Sequence, residues 1–170
     1  MKSQSAILES KVNERLIAAR KQSIRRLGDI EHRLEYVDVV NGVEYVNDAK
    51  ATDLNSTWYS LDCMEKPVIW ILSSSEDDAD YSLMNEIDVS NIKAFIVIGN
   101  HFEKVQASMR AASKPIIQSG SILDATKAAQ KLSNQGDVVL FSPGFSDLEN
   151  FTHYKEHGQQ FRKAVREMQL

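Results

Sequence analysis

A chain of 170 residues, 42% hydrophobic and 26% charged, is long enough for one domain with a packed core and too short for two. Its net charge of −4 offers no general attraction to nucleic acid or to an anionic membrane surface. No apolar run approaches the roughly 20 residues that span a bilayer, and Met1–Ser5 leads into no signal-peptide core. The expected location is therefore the cytoplasm, with neither nucleic acid nor membrane as partner. The single cysteine, Cys63, falls on the expected core face of a helix and reads as a buried structural thiol, with no second cysteine for a disulfide or a metal cluster.

Residues 5–27 place Ile7, Val12, Leu16, Ile17, Ala19, Ile24 and Leu27 at mixed three- and four-residue steps, and Gly28 follows as a stop. That spacing predicts an amphipathic helix, basic toward its end, where Arg20, Lys21, Arg25 and Arg26 favour the negative end of the dipole. From His32 the pattern changes to two β-rich runs, 32–40 and 43–46, around Asn41-Gly42, the strongest short hairpin signal. A regular alternation follows. It comprises a helix over 55–65 with Trp58, Leu61 and Met64 or Cys63 inward, an apolar strand over 67–72, a short helix around 80–87, and a strand over 92–99. Next come a helix over 101–112, a short strand over 115–118, a helix over 122–133 capped by Ser121, a strand over 138–141, and one or two closing helices. Strands that are apolar throughout and separated by helices predict a doubly wound α/β fold, its mostly parallel sheet covered on both faces. The chain thus divides into an N-terminal helix, residues 1–29, and an α/β domain, residues 30–170.

Ligands of such folds bind at the carboxyl ends of the strands, which selects the loops 48–57, 73–80 and 142–150. In the first, an extended chain past Val46 brings Asp48, Lys50 and Thr52 to one face, with Ala49 and Ala51 on the other. An acid, a base and a hydroxyl then converge. Asn55 or Ser56 is placed to cap the next helix, whose free N–H groups make a place for an anion. Taken alone, the same stretch also fits a capped turn with a surface ion pair.

Other chemistries lack their patterns. There is no Gly-x-x-x-x-Gly-Lys-Ser/Thr run of an ATP-binding loop and no Gly-x-Gly-x-x-Gly of a dinucleotide site. His32, His101, His153 and His157 lack the spacing of a metal set. Asp77, Asp78 and Asp80 lack the glycine and oxygen spacing of a calcium loop and read as a solvated turn and helix cap.

Several ordered stretches resemble the Mur ligases, specifically the C-terminal, Rossmann-like domain of the MurD type. His32-Arg33-Leu34-Glu35 is similar to that family's His-Arg-hydrophobic-Glu motif, and Asn41-Gly42-Val43 to the hairpin after it. Asn47-Asp48-Ala49-Lys50-Ala51-Thr52 is similar to its Asn-Asp-Ser-Lys-Ala-Thr signature, with Ser56-Thr57 following. Gly136-Asp137-Val138-Val139-Leu140-Phe141-Ser142-Pro143 resembles its Gly-Asp-x-Val-Leu-Leu-Ser-Pro strand. Phe151, Tyr154, Glu156, Gly158 and Phe161 fall where the family has Phe-Lys-Asn-Tyr-Glu-x-Arg-Gly-x-x-Phe.

The resemblance implies a part of an ATP- and magnesium-dependent ligase of peptidoglycan precursor synthesis. That ligase joins D-glutamate to UDP-linked muramoyl-alanine through an acyl phosphate. In the family the N-terminal domain holds the UDP, the central domain holds the phosphate-binding loop and the metal ligands, and the C-terminal domain holds the amino acid and part of the ATP. Carried over, Arg33 and Asp48 face the nucleotide, Lys50 is the catalytic residue near the phosphates, and Thr52 and Tyr154 hold the incoming amino acid. No cofactor and no metal ligand is expected in this chain alone. The expected partners are the N-terminal and central domains, through which the UDP-muramoyl precursor arrives.

Two positions depart from the family. Ser73-Ser74-Ser75-Glu76-Asp77-Asp78-Ala79-Asp80-Tyr81 puts Asp77 where Gly-Gly-x-x-Lys-x-x-Asp-Phe has its lysine, and Ser142-Pro143-Gly144-Phe145-Ser146-Asp147 ends on Asp147 where the family has serine. A carboxylate facing a carboxylate ligand reverses the sign of the attraction. One reading is the amino-acid-binding part of a ligase, inactive alone; the alternative is a non-catalytic MurD-like binding or regulatory module that has lost the D-glutamate site.

Overall fold

The computed structural model describes residues 30–74, 80–109, 112–145 and 153–169. The helix expected within residues 1–29 lies outside the described residues, as do Asp77, Asp147 and Phe151. The strands are β1 (Glu35–Val40), β2 (Val43–Asn47), β3 (Val68–Ser73), β4 (Ile92–Ile98), β5 (Ile116–Ser119) and β6 (Val138–Phe141). They form one sheet in the order β1-β2-β6-β3-β4-β5. Only β1 runs antiparallel to its neighbour; the other pairings are parallel. The helices are α1 (Leu54–Asp62), α2 (Phe102–Ser108), α3 (Ile122–Leu132) and α4 (His153–Glu167), with a 3-10 turn over Tyr81–Glu86.

Local chemistry accounts for most of these boundaries. Asn41 and Gly42 take φ of 53° and 77°, the pair of left-handed residues that a two-residue type I′ hairpin requires. Every residue from Val68 to Leu72 is buried, as expected for a strand covered on both faces. Alternation along β3 sends Val68, Trp70 and Leu72 into one core with Leu54, Leu61, Phe95 and Leu140. Ile69 and Ile71 enter a second core with Tyr45, Ala125, Phe141 and Phe161. The Ser121 side chain accepts a hydrogen bond from Asp124 N and caps α3, where the sequence places the cap.

Several expectations are corrected. The helix expected to 65 ends at Asp62, where the last turn tightens, with Cys63 N and Met64 N bonding to Ser60 O and Leu61 O. Cys63 is half-buried, its Sγ 2.8 Å from Tyr59 O, because it sits at the C-cap and not on the core face. The short helix near 80–87 is a 3-10 turn capped by Asp80, and the helix expected to 112 ends at Ser108.

Candidate functional site

The three selected loops meet at the carboxyl ends of β2, β6 and β3. Asp48 N donates to Phe141 O at 2.8 Å, Gly144 N to Ala51 O at 3.0 Å, and Ser73 N to Pro143 O at 3.0 Å. This is where the strand order reverses, since β6, the last strand in sequence, inserts between β2 and β3. Such a switch point is the usual ligand crevice of a doubly wound sheet.

The chain does not stay extended past Val46. β2 continues through Asn47 and then turns, with Ala51 N donating to Asp48 O at 2.9 Å and Thr52 N to Lys50 O at 3.0 Å. The alternation expected to align Asp48, Lys50 and Thr52 ends there, because the turn buries Asp48 together with Asn47 and Ala49. Asp48 is only 1% exposed, whereas Lys50 and Thr52 are half-buried. The helix cap also differs. Asp53 caps α1, its Oδ1 accepting from Ser56 N at 2.9 Å and its Oδ2 from Ser56 Oγ at 2.8 Å. Its carboxylate fills the place that the sequence offered to an anion.

Asp48 is the hub of a buried polar chain. Its Oδ1 accepts from Leu34 N at 3.1 Å and its Oδ2 from Ser142 Oγ at 2.8 Å. Ser142 Oγ in turn lies 2.8 Å from Thr57 Oγ1, and Ser142 O accepts from Trp70 Nε1 at 2.8 Å. Burial pushes the Asp48 carboxyl up to about 6, against the opposing pull of Ser60, Ser142, the Leu34 amide and the Arg33 charge. Sequence reasoning gave Ser142 and Thr57 no such role. The available signal was a serine closing the otherwise apolar strand Val138–Phe141, since a hydroxyl buried there must find partners.

Arg33 sits between two left-handed residues, His32 with φ 63° and Leu34 with φ 45°. For residues with a Cβ this conformation costs on the order of 1–3 kcal/mol and persists only where surrounding contacts over-determine it. Here a carboxylate clamps each side. Glu35 Oε2 accepts from His32 N at 3.0 Å, and Asp48 Oδ1 takes the Leu34 amide. Lys50 N adds a bond to His32 O at 3.0 Å, so the signature loop holds the Arg33 segment directly. The Arg33 side chain is half-buried and makes no hydrogen bond or ion pair with a described residue.

His32 is 1% exposed. Asn47 Oδ1 accepts from Ala49 N, which makes Nδ2 the donor toward His32 Nδ1 at 2.8 Å and Glu35 Oε2 at 3.0 Å. His32 therefore carries its proton on Nε2, with Glu31 Oε1 3.6 Å away. Burial, reinforced by the Arg162 charge and opposed by Glu31 and Glu35, holds the imidazole below its ordinary value. Tyr154 packs edge-on against His32 with ring centroids 6.2 Å apart, so α4 brings it to the Arg33 segment. Gly158 lies beneath the same ring, where an added Cβ would come within 2.2 Å of His32 Nδ1. Gly158→Ala should destabilise the fold by about 1–3 kcal/mol through overpacking, outweighing the better helix propensity of alanine. A urea midpoint equal to or above that of the parent chain would refute this.

A groove of about 600 Å³ between β1 and α4, lined by Asp38, Arg162 and Arg166, includes none of the candidate residues. Among the described residues, no group of three or more His, Cys, Asp or Glu side chains is placed to hold a metal ion. No helix among the described residues is long and apolar enough to cross a membrane.

Comparison with solved structures places this fold among the Mur ligases. A murein peptide ligase from Psychrobacter arcticus superposes with a TM-score of 0.58 at 12% identity, covering 79% of this chain and 30% of that one. A domain from a putative UDP-N-acetylmuramate:L-alanyl-gamma-D-glutamyl-medo-diaminopimelate ligase of Haemophilus ducreyi gives 0.55 at 13% identity, covering 78% of this chain and 99% of that domain. No protein-family model matches.

Sequence comparison narrows the class. The UDP-N-acetylmuramoylalanine–D-glutamate ligase of Christiangramia forsetii is 34% identical over 168 residues, 96% of this chain and 38% of the relative. That of Bacteroides fragilis is 35% identical over 167 residues, 95% of this chain and 37% of the relative. The chain has the fold of a Mur ligase C-terminal domain and, along nearly its whole length, is similar in sequence to one part of MurD-type ligases. It spans less than two-fifths of the length of these relatives.

Proposed function

We propose that residues 30–170 form the amino-acid-binding wall, and part of the nucleotide-binding wall, of a MurD-type ligase of peptidoglycan precursor synthesis, with residues 1–29 as the link to a central domain. The carrying observation is the doubly clamped Arg33 segment, which is bonded to the Lys50 turn at the carboxyl ends of parallel strands. Two cations carried on a clamped backbone at a switch point suit the phosphates of a nucleotide, and one solved Mur-type neighbour is a complex with ADP.

On this reading Arg33 faces the nucleotide with Asp48 buried behind it, and Lys50 is the catalytic cation that offsets charge on the phosphates as it develops. Thr52 and Tyr154 face the amino acid. ATP, when bound, supplies the phosphoryl group that activates a carboxyl. By the family resemblance, the magnesium ligands are supplied by the central domain. The N-terminal and central domains are the partners, and they bring the UDP-muramoyl precursor in the cytoplasm.

Titrating ADP while recording backbone amide spectra tests the nucleotide side. Shifts should cluster at 33–34 and 48–52, and their absence with ADP at millimolar concentration refutes the assignment. The chain should hydrolyse no ATP alone, since the sequence carries no phosphate-binding glycine–lysine run. Turnover that survives repurification and disappears with Lys50→Ala overturns that expectation.

Asp77 and Asp147 favour the second reading, a MurD-like module without the D-glutamate site. Acids at both positions repel the ligand carboxylate, and D-glutamate should show no heat of binding in calorimetry. A millimolar or tighter Kd would remove the reason for that reading.

A further inference from the structure

We infer that Asp48 is a positioning residue for Arg33, holding Leu34 in its left-handed conformation and so setting the direction in which the Arg33 side chain leaves the backbone. This rests on the assignment of Arg33 to the nucleotide. Asp48 is 1% exposed, and its two oxygens accept from Leu34 N and Ser142 Oγ. Burial leaves a ligand almost no surface of this carboxylate to reach. What the carboxylate does present is a rigid clamp on the peptide that follows Arg33.

The backbone before Arg33 is held too, His32 N donating to Glu35 Oε2 and His32 O accepting from Lys50 N. Ser142 and Thr57 fix the clamp itself. Thr57 belongs to α1 and Ser142 follows β6, so the direction of Arg33 is tied to both walls of the crevice. The pairing of His-Arg-Leu-Glu with Asn-Asp-Ala-Lys then has a mechanical reason, since the second stretch closes hydrogen bonds on both sides of Arg33.

ADP affinity of the full chain, measured by calorimetry in a double-mutant cycle, separates positioning from contact. Arg33→Ala should weaken ADP binding about tenfold, and Asp48→Ala should weaken it about as much in the parent background and not at all further in the Arg33→Ala background. Asp48→Asn should keep affinity within about threefold, because its Oδ1 still accepts from Leu34 and its Nδ2 donates to Ser142, reversing the hydroxyl chain. Hydrogen exchange at the Leu34 amide should stay slow in Asp48→Asn and accelerate at least tenfold in Asp48→Ala.

Equal loss from Asp48→Ala in both backgrounds, or a loss in Asp48→Asn as deep as in Arg33→Ala, overturns the inference while leaving the nucleotide assignment standing. Unchanged affinity in Arg33→Ala defeats the nucleotide assignment and the inference together. If Asp48→Ala does not fold, Asp48→Asn decides: affinity within threefold with slow Leu34 exchange supports positioning, and anything weaker refutes it.

Discussion

Trp70→Ala should destabilise the domain by about 3–5 kcal/mol, the range for removing a large aromatic from a packed core. Trp70 is fully buried at the centre of the sheet, with β6 on one side and β4 on the other. Its ring packs against Phe95 with centroids 5.7 Å apart, and its Nε1 supplies the donor to Ser142 O. Truncation therefore opens a cavity and leaves a buried carbonyl unpaired, two costs that add. Against a total stability of roughly 5–15 kcal/mol for a domain, the variant should lie near the edge of folding. Trp70→Phe isolates the second cost, because most of the apolar surface remains while the donor is lost, and it should show about 1–2 kcal/mol. Guanidinium titrations with unchanged slope measure both, and a loss below about 1 kcal/mol for Trp70→Ala would contradict the packing described.

The strands were legible because their signal is redundant. Val68–Leu72 and Val138–Phe141 are apolar at every position, and no other arrangement of such runs between helices buries them all. The hairpin was legible from two residues, since Asn41-Gly42 is one of few pairs that accept two left-handed conformations. The candidate site was legible as a place and not as a geometry. Asp48, Lys50 and Arg33 could be picked out by residue type and by likeness to a family signature, yet alternation misdirected Asp48 because it assumes an extended backbone. The break in alternation is the turn itself, where Ala51 N bonds back to Asp48 O and Asn47, Asp48 and Ala49 are buried in succession. The clamp on Leu34 was not legible, because it joins residues 14 apart in sequence through a side chain, and no local pattern encodes that contact.

Asp48→Asn should stabilise the chain at pH 7 while leaving it nearly unchanged at pH 4. The folded Asp48 carboxyl is pushed up to about 6 from an ordinary value of 3.8. Between those values the folded state keeps a proton that the unfolded state has released, so this group's contribution to stability falls as pH rises from 4 to 6 and is level above. A shift of about two units corresponds to roughly 3 kcal/mol, which an asparagine avoids because it mimics the neutral acid. His32 works in the opposite direction. Its value is lowered in the fold, so its contribution increases with pH through the range around its ordinary value of 6.5. Glu31, Asp80 and Asp88, held below the usual carboxylate range by Arg162, Ser82 and Ser90 respectively, add stability as pH rises through the acid range. The net curve of the parent chain thus hides Asp48, and only its difference from Asp48→Asn reveals it. That difference should grow from near zero at pH 4 to about 1–3 kcal/mol at pH 7. A variant less stable than the parent at pH 7 would mean that the ionised carboxylate is favoured where it lies, with donors enough to outweigh its burial. A gain in stability together with retained ADP affinity would show that the clamp on Leu34 works through shape and hydrogen bonds, with the negative charge a burden that the fold carries.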